Sequence, residues 1–192
     1  MKKYMILALL GAGIYFPALA QNKTGKYKFS SVNNFSVAIG QDAQLAGGFQ
    51  SVNGIKRGNW FVGAGVGFDF YLYRSVPLFI DVRREFGEKN NRLFVYADAV
   101  LNIEWLQEEF TLKPSGWDPN LKNKYHNGFF TDAGVGYSLG TKKGNAVIFS
   151  VGHSVKTFNE TRWYTDWRSG QATKETYKFN FSRVVLKAGW RF

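Results

Sequence analysis

The sequence predicts an all-β chain: an antiparallel, up-and-down, eight-stranded transmembrane β-barrel. Three observations carry that expectation. The first is the segment Trp60–Tyr71, which alternates strictly. Its even positions are Trp60, Val62, Ala64, Val66, Phe68 and Phe70, and its odd positions are Phe61, Gly63, Gly65, Gly67, Asp69 and Tyr71. A period of two marks a strand with unlike faces. One face is apolar and the other is small with a carboxylate, which suits lipid outside and a crowded polar lumen inside. The second is the spacing of turn signals, which divides the chain into about eight extended runs with short and long connections. The third is an aromatic content of 18%, with 6 Trp and 10 Tyr, which fits aromatic girdles at two membrane interfaces.

The chain opens with Lys2 and Lys3, then an apolar run from Met5 to Phe16, then Pro17 and Ala18-Leu19-Ala20. This is the pattern of a secretory signal peptide over 1–20, with a mature start at Gln21. The apolar run is about a dozen residues, too short for a spanning helix of ~20. With 0 Cys in the chain, neither a lipid-anchored cysteine nor a disulfide contributes, so stability must come from the sheet. Residues 21–32 read as a short basic periplasmic tail, and 33–192 as one barrel domain.

The runs fall at Asn33–Gln41, Gly47–Lys56, Trp60–Tyr71, Pro77–Phe86, Arg92–Trp105, Gly128–Leu139, Asn145–Asn159 and Thr176–Phe192. The faces of the second run do not separate cleanly. In the fourth, Leu78, Ile80, Val82 and Phe86 oppose Phe79, Asp81, Arg83 and Glu85, and Arg84 breaks the apolar side near a turn, where it can snorkel. In the fifth, Leu93, Val95, Ala97, Ala99, Leu101, Ile103 and Trp105 oppose Tyr96, Asp98, Asn102 and Glu104. The sixth sets Phe129, Ala133, Val135, Tyr137 and Leu139 against Asp132, Gly134, Gly136 and Ser138. The seventh sets Val147, Phe149, Val151 and Val155 against Ser150, Gly152, Ser154 and Lys156. In the last, Val184, Leu186, Ala188, Trp190 and Phe192 oppose Arg183, Lys187 and Arg191.

Placing both chain ends in the periplasm puts the compact turns Arg57-Gly58-Asn59, Gly87–Asn91 and Gly140–Gly144 on the periplasmic side. The long loops Leu106–Asn127 and Glu160–Glu175 then fall outside the cell, the usual asymmetry of such barrels. A soluble barrel or sandwich with the apolar face inward is the competing architecture. The Gly-rich polar face and the aromatic ends of the apolar face (Trp60, Trp105, Trp190) weigh against it.

The inward charges are Asp69, Asp81, Glu85, Asp98, Glu104 and Asp132 against Arg83, Lys156, Arg183, Lys187 and Arg191, close to balance. An eight-stranded barrel has an interior just wide enough for side chains, so these charges are expected to pair. Counted from the periplasmic ends, Lys187, Asp81, Asp98 and Asp132 sit at similar heights and are expected to meet in mid-lumen.

The stretches GFQSVNGIKRGNWFVGAGVGFDFY, VPLFIDVRREF and VVLKAGWRF resemble the outer-membrane β-barrel domain family of small Gram-negative surface proteins. The fold is similar to that of the OmpA/OmpX type. The resemblance covers roughly 33–192 and implies insertion by the barrel assembly machinery, which reads a last strand ending in an aromatic, here Phe192 with Trp190 before it. It supplies no catalytic residue.

Net charge is +11, or +9 once Lys2 and Lys3 are discounted. A signal peptide argues against nucleic acid as the partner. Outer-membrane lipid and lipopolysaccharide phosphates suit basic residues at a membrane rim. Catalysis has little support. His153 lies on the apolar face while Ser154 points inward, and His126 sits in a loop. No cofactor or metal is implied. The last loop offers Arg162, Trp163, Tyr164, Trp167 and Arg168, either as a surface contact for sugar, headgroup or partner or as an outer aromatic belt. The expectation is a monomeric, non-enzymatic outer-membrane protein of a Gram-negative bacterium. Its role would be structural, or surface interaction through two long loops. A narrow pore and a lipid-modifying enzyme are the alternatives.

Overall fold

The computed structural model describes residues 27–40, 44–71, 75–87, 91–104, 122–126, 128–141, 145–165 and 172–192, and for 100–104, 122–126, 164, 165 and 172 it describes the backbone only. The strands are β1 (Lys28–Ile39), β2 (Leu45–Arg57), β3 (Trp60–Asp69), β4 (Ser75–Phe86), β5 (Asn91–Glu104), β6 (Lys122–His126), β7 (Gly128–Gly140), β8 (Ala146–Thr165) and β9 (Ala172–Arg191). Each is antiparallel to its neighbours, and the sheet closes where β9 pairs with both β8 and β1. β6 and β7 follow one another along the same side of β8. The barrel therefore has eight staves from nine strands. The closing seam runs to the last residue, where Ser31 and Phe192 exchange backbone hydrogen bonds of 2.7 and 3.0 Å.

Side-chain alternation decides what lies inside. Along β4, Leu78, Ile80, Val82, Arg84 and Phe86 are exposed while Phe79, Asp81, Arg83 and Glu85 are buried. On β5, Leu93, Val95, Ala97 and Ala99 point out and Phe94, Tyr96 and Asp98 point in. The same order holds on β7, on the lower half of β8 and on β9, where Val184, Leu186, Trp190 and Phe192 are exposed. The apolar ladders thus cover the outside and the carboxylates line the axis.

The glycines of the inward face make room for rings. Gly65 stands in register with Phe79, Gly136 with Phe94 and Gly134 with Tyr96. Each ring lies where the glycine lacks a side chain, and Phe61, Phe79, Phe94 and Tyr96 pack with Val32, Val52 and Ile148 into a buried cluster. Two turns at the end where β1 begins and β9 ends (the turn end) use left-handed glycines, Gly58 at φ 58° and Gly87 at φ 103°.

Four sequence expectations are corrected. The barrel begins at Lys28, inside the segment read as a tail, because β1 pairs with β2 from Lys28↔Lys56 onward. Part of Leu106–Asn127, read as loop, forms β6. The β6 and β7 registers on β8 differ by one residue, an extra residue on their side between His126 and Phe130. Arg162, Trp163 and Tyr164, read as loop residues, lie in β8. That strand and β9 form a hairpin of 20 residues each, against 10 in β3. Asp81, expected at Lys187, is bound instead by Arg83 of its own strand. The signal peptide, Trp105, Trp167 and Arg168 lie outside the described residues.

A Cβ at position 136 would meet the Phe94 ring and stand 2.6 Å from the Phe149 carbonyl oxygen. Gly136→Val is therefore expected to lower the unfolding free energy by about 1–3 kcal/mol. Urea titration followed by tryptophan fluorescence checks this.

Candidate functional site

The barrel interior is a stack of paired charges. At the turn end, the Glu85 carboxylate accepts from Lys56 Nζ at 2.5 Å and Arg92 Nη1 at 2.9 Å, and also from Arg191. Glu85 is buried, so one carboxylate is shared by three cations from β2, β5 and β9. Above it, Arg83 binds Asp81 through two nitrogens, with Nη2 to Oδ2 at 2.5 Å and Nε to Oδ1 at 2.8 Å. The two residues are i and i+2 on one strand, so they share a face. The guanidinium also lies 5.6–5.9 Å from the ring centres of Phe61, Phe94 and Tyr96, a favourable contact for a planar cation.

The middle layer joins β5, β7 and β9. Lys187 Nζ lies 2.8 Å from Asp132 and 3.3 Å from Asp98, and 4.4 Å from the centre of the Tyr96 ring. Tyr96 donates its hydroxyl to Asp132 at 2.9 Å. Asp81, Asp98 and Asp132 are consecutive register partners on β4, β5 and β7. The same register line continues through Ser154 to Arg183, not to Lys187. Strand tilt explains the offset: a register line climbs around a barrel, so the residue level with Asp132 on β9 lies further down that strand.

Arg183 serves the next layer. It binds Asp69 through Nη1 at 2.8 and 3.0 Å and donates to Ser154 through Nη2 at 2.9 Å. Lys156 reaches the same carboxylate at 3.2 Å. The Arg183 guanidinium also covers the rings of Tyr71 and Phe130. At the loop end, Phe158, Phe179 and Phe181 stack with centroids 4.7–6.2 Å apart and ring planes within 23°. Phe181 meets Tyr71 edge-on. A void beside Asp69, Asp132, Gln50 and Arg183 measures about 20 Å³, the room of one water.

All seven residues expected in the lumen network point inward; Asp81 and Arg83 pair with each other along β4, and the other five form ion pairs between strands. Sequence reasoning missed Lys56 and Arg92, at the ends of their runs, which the register brings to Glu85. It also missed the buried Glu160, bound by Arg162 at 2.8 Å. The same i, i+2 spacing that pairs Asp81 with Arg83 could have revealed it. Trp163 of the loop-end hairpin is half-buried, with Lys174 Nζ over its ring at 5.9 Å. Trp190 and Phe192 are exposed on the outer face at the turn end. His153 is also on the outer face, with Nε2 2.7 Å from Ser182 Oγ, and Ser154 points away from it. Among the described residues no cluster of His, Cys, Asp and Glu suits a metal ion.

Lys187→Met would leave Asp98 and Asp132 facing each other without their shared cation. The expected cost is about 3–5 kcal/mol of stability, read in a urea titration. Adding Asp98→Asn and Asp132→Asn should restore most of it, because the loss comes from uncompensated charge.

No protein-family model and no curated protein sequence matches the chain. Among solved structures it is similar to the N-terminal β-barrel domain of Pseudomonas aeruginosa OprF, with a TM-score of 0.46 and 11% identity, over 85% of this chain and 97% of that one. It is also similar to the outer membrane protein AlkL in DMPC lipid bilayers, with a TM-score of 0.41 and 14% identity, over 85% of this chain and 88% of that one.

Proposed function

We propose that this chain is a non-enzymatic integral barrel of a Gram-negative outer membrane, with its lumen sealed by its own side chains. A closed barrel is one of the two ways a backbone can cross hydrocarbon with every polar group satisfied. The apolar outer ladders and the signal-peptide pattern of residues 1–20 support the membrane placement. The single observation that carries the sealed-lumen reading is the unbroken stack from Glu85 through Arg83, Lys187 and Arg183 to the Phe158 ring. Among the described residues, every layer holds a carboxylate bound by cations or a packed aromatic. Such an interior holds a barrel together and leaves no water-filled path.

Function then belongs to the surfaces. The β8–β9 hairpin stands above the apolar belt and carries Trp163 and Lys174 on one side, opposite Arg162 and Glu160 on the other. It is the surface on which lipopolysaccharide or an envelope partner would be met, and the barrel assembly machinery would be the partner during insertion.

Purified protein refolded in detergent is expected to show heat-modifiable gel mobility, to float with vesicles, and to give no stepwise conductance in planar bilayers. Regular conductance steps from the folded protein would reject the sealed lumen. Recovery as a soluble species without detergent would reject the membrane barrel itself.

A further inference from the structure

The outer face at the turn end carries charge that the interior network does not use. Register places Arg57 opposite Trp60 and Trp60 opposite Arg84, one row across β2, β3 and β4. The next row on the same face is Ile55, Val62 and Val82. All six residues are exposed. The Arg84 guanidinium lies over the rings of Trp60 and Phe86, at 5.2 Å from each centre. Arg57 lies 5.1 Å from the centre of the Tyr27 ring and donates to its hydroxyl at 3.1 Å. Among the described residues neither guanidinium has a carboxylate at ion-pair distance. Between them is an open depression of about 890 Å³ lined by Tyr27, Ile55, Arg57, Trp60, Val62 and Arg84.

Two arginines held on aromatic faces, without an acidic partner among the described residues, present donors for a planar or tetrahedral oxyanion. Stacking restricts the side chains before any ligand arrives, which lowers the ordering cost of binding. The rows are two residues apart, about 7 Å along a strand. An oxyanion at the arginines therefore has apolar side chains directly beside it, toward the middle of the barrel. Water-soluble phosphate has no use for that floor. A lipid does, and aromatic residues with snorkelling arginines mark the headgroup level of a bilayer.

We propose that Arg57, Arg84, Trp60 and Tyr27 form a headgroup site for an anionic phospholipid of the leaflet at the turn end. The arginines take the phosphate, and Ile55, Val62 and Val82 take the start of an acyl chain. The proposal rests on the membrane reading above, and its test separates the two.

The folded full-length protein is held in a neutral detergent, and bound lipid is counted by native mass spectrometry. The probes are dioleoyl phosphatidylglycerol, dioleoylglycerol (the same chains without phosphate) and inorganic phosphate. Wild type is expected to retain phosphatidylglycerol and neither of the others. Arg57→Gln/Arg84→Gln is expected to retain it at least about tenfold less, since each basic residue near an anionic surface contributes on the order of fivefold. Arg57→Lys/Arg84→Lys should keep an intermediate level. Heat-modifiable mobility confirms that the variants are folded. Equal retention of phosphatidylglycerol and dioleoylglycerol by wild type overturns the site, with no variant needed. So does full retention by the folded glutamine variant, and so does inorganic phosphate competing at the concentration of the lipid. A barrel that still requires detergent under any of these results keeps its membrane reading and loses only this site.

Discussion

The constraint on which the rest depends is the neutralisation of charge in a space too narrow for bulk water. Strand alternation sends every second residue to the axis, and the apolar outer ladders leave no other place for the acids of β3, β4, β5 and β7. An isolated buried charge costs several kcal/mol. Each carboxylate must therefore meet a cation from another strand, or from two residues along its own. The ion pairs of Lys187 with Asp98, of Arg183 with Asp69, and of Glu85 with Lys56 and Arg191 each tie strands that are not adjacent in the sheet. They brace the barrel across its diameter, which sheet hydrogen bonds alone do not do.

The aromatic rings and the glycines solve the same problem of space. Guanidinium groups need flat neighbours, and Phe61, Phe94, Tyr96, Tyr71 and Phe130 supply them. Those rings fit because Gly65, Gly134 and Gly136 stand opposite inward aromatics on the next strand. The Gly-rich face of β3 is thus a packing requirement of the charged plug. The turn-end arginines show the contrast. Arg57 and Arg84 also rest on rings, but on the outer face, where no carboxylate of the described chain reaches them.

Much of the barrel was legible because outward and inward residues differ in kind wherever the wall is apolar outside. The β4 and β5 faces, the outward Trp60 and Trp190, and the meeting of Lys187 with Asp98 and Asp132 all follow from parity and a count along the strands. Legibility failed where that contrast fails. On β2, Ser51 and Asn53 share the outer face while the inward Val52 is 0% exposed, so the two faces look alike. In the upper β8–β9 hairpin the apolar residues change sides. Phe158, Phe179 and Phe181 face the axis, and Lys174 and Thr176 are exposed on the other face. Glu160–Glu175 was read as loop because its outer face is polar, although β8 runs to Thr165 and β9 starts at Ala172. Register between distant strands, which brings Lys56 and Arg92 to Glu85, leaves no local mark in a sequence.

The most direct measurement uses the absence of cysteine from the chain. Single cysteines at Ile80, Val82, Val95, Val151 and Leu186, each carrying a spin label in protein reconstituted into vesicles, report what surrounds the outer ladder. The account predicts high collision with lipid-dissolved oxygen and little with an aqueous nickel complex at all five positions. Strong collision with the aqueous complex, or labels immobilised in a packed core, would contradict an apolar ladder that faces hydrocarbon around a charged axis.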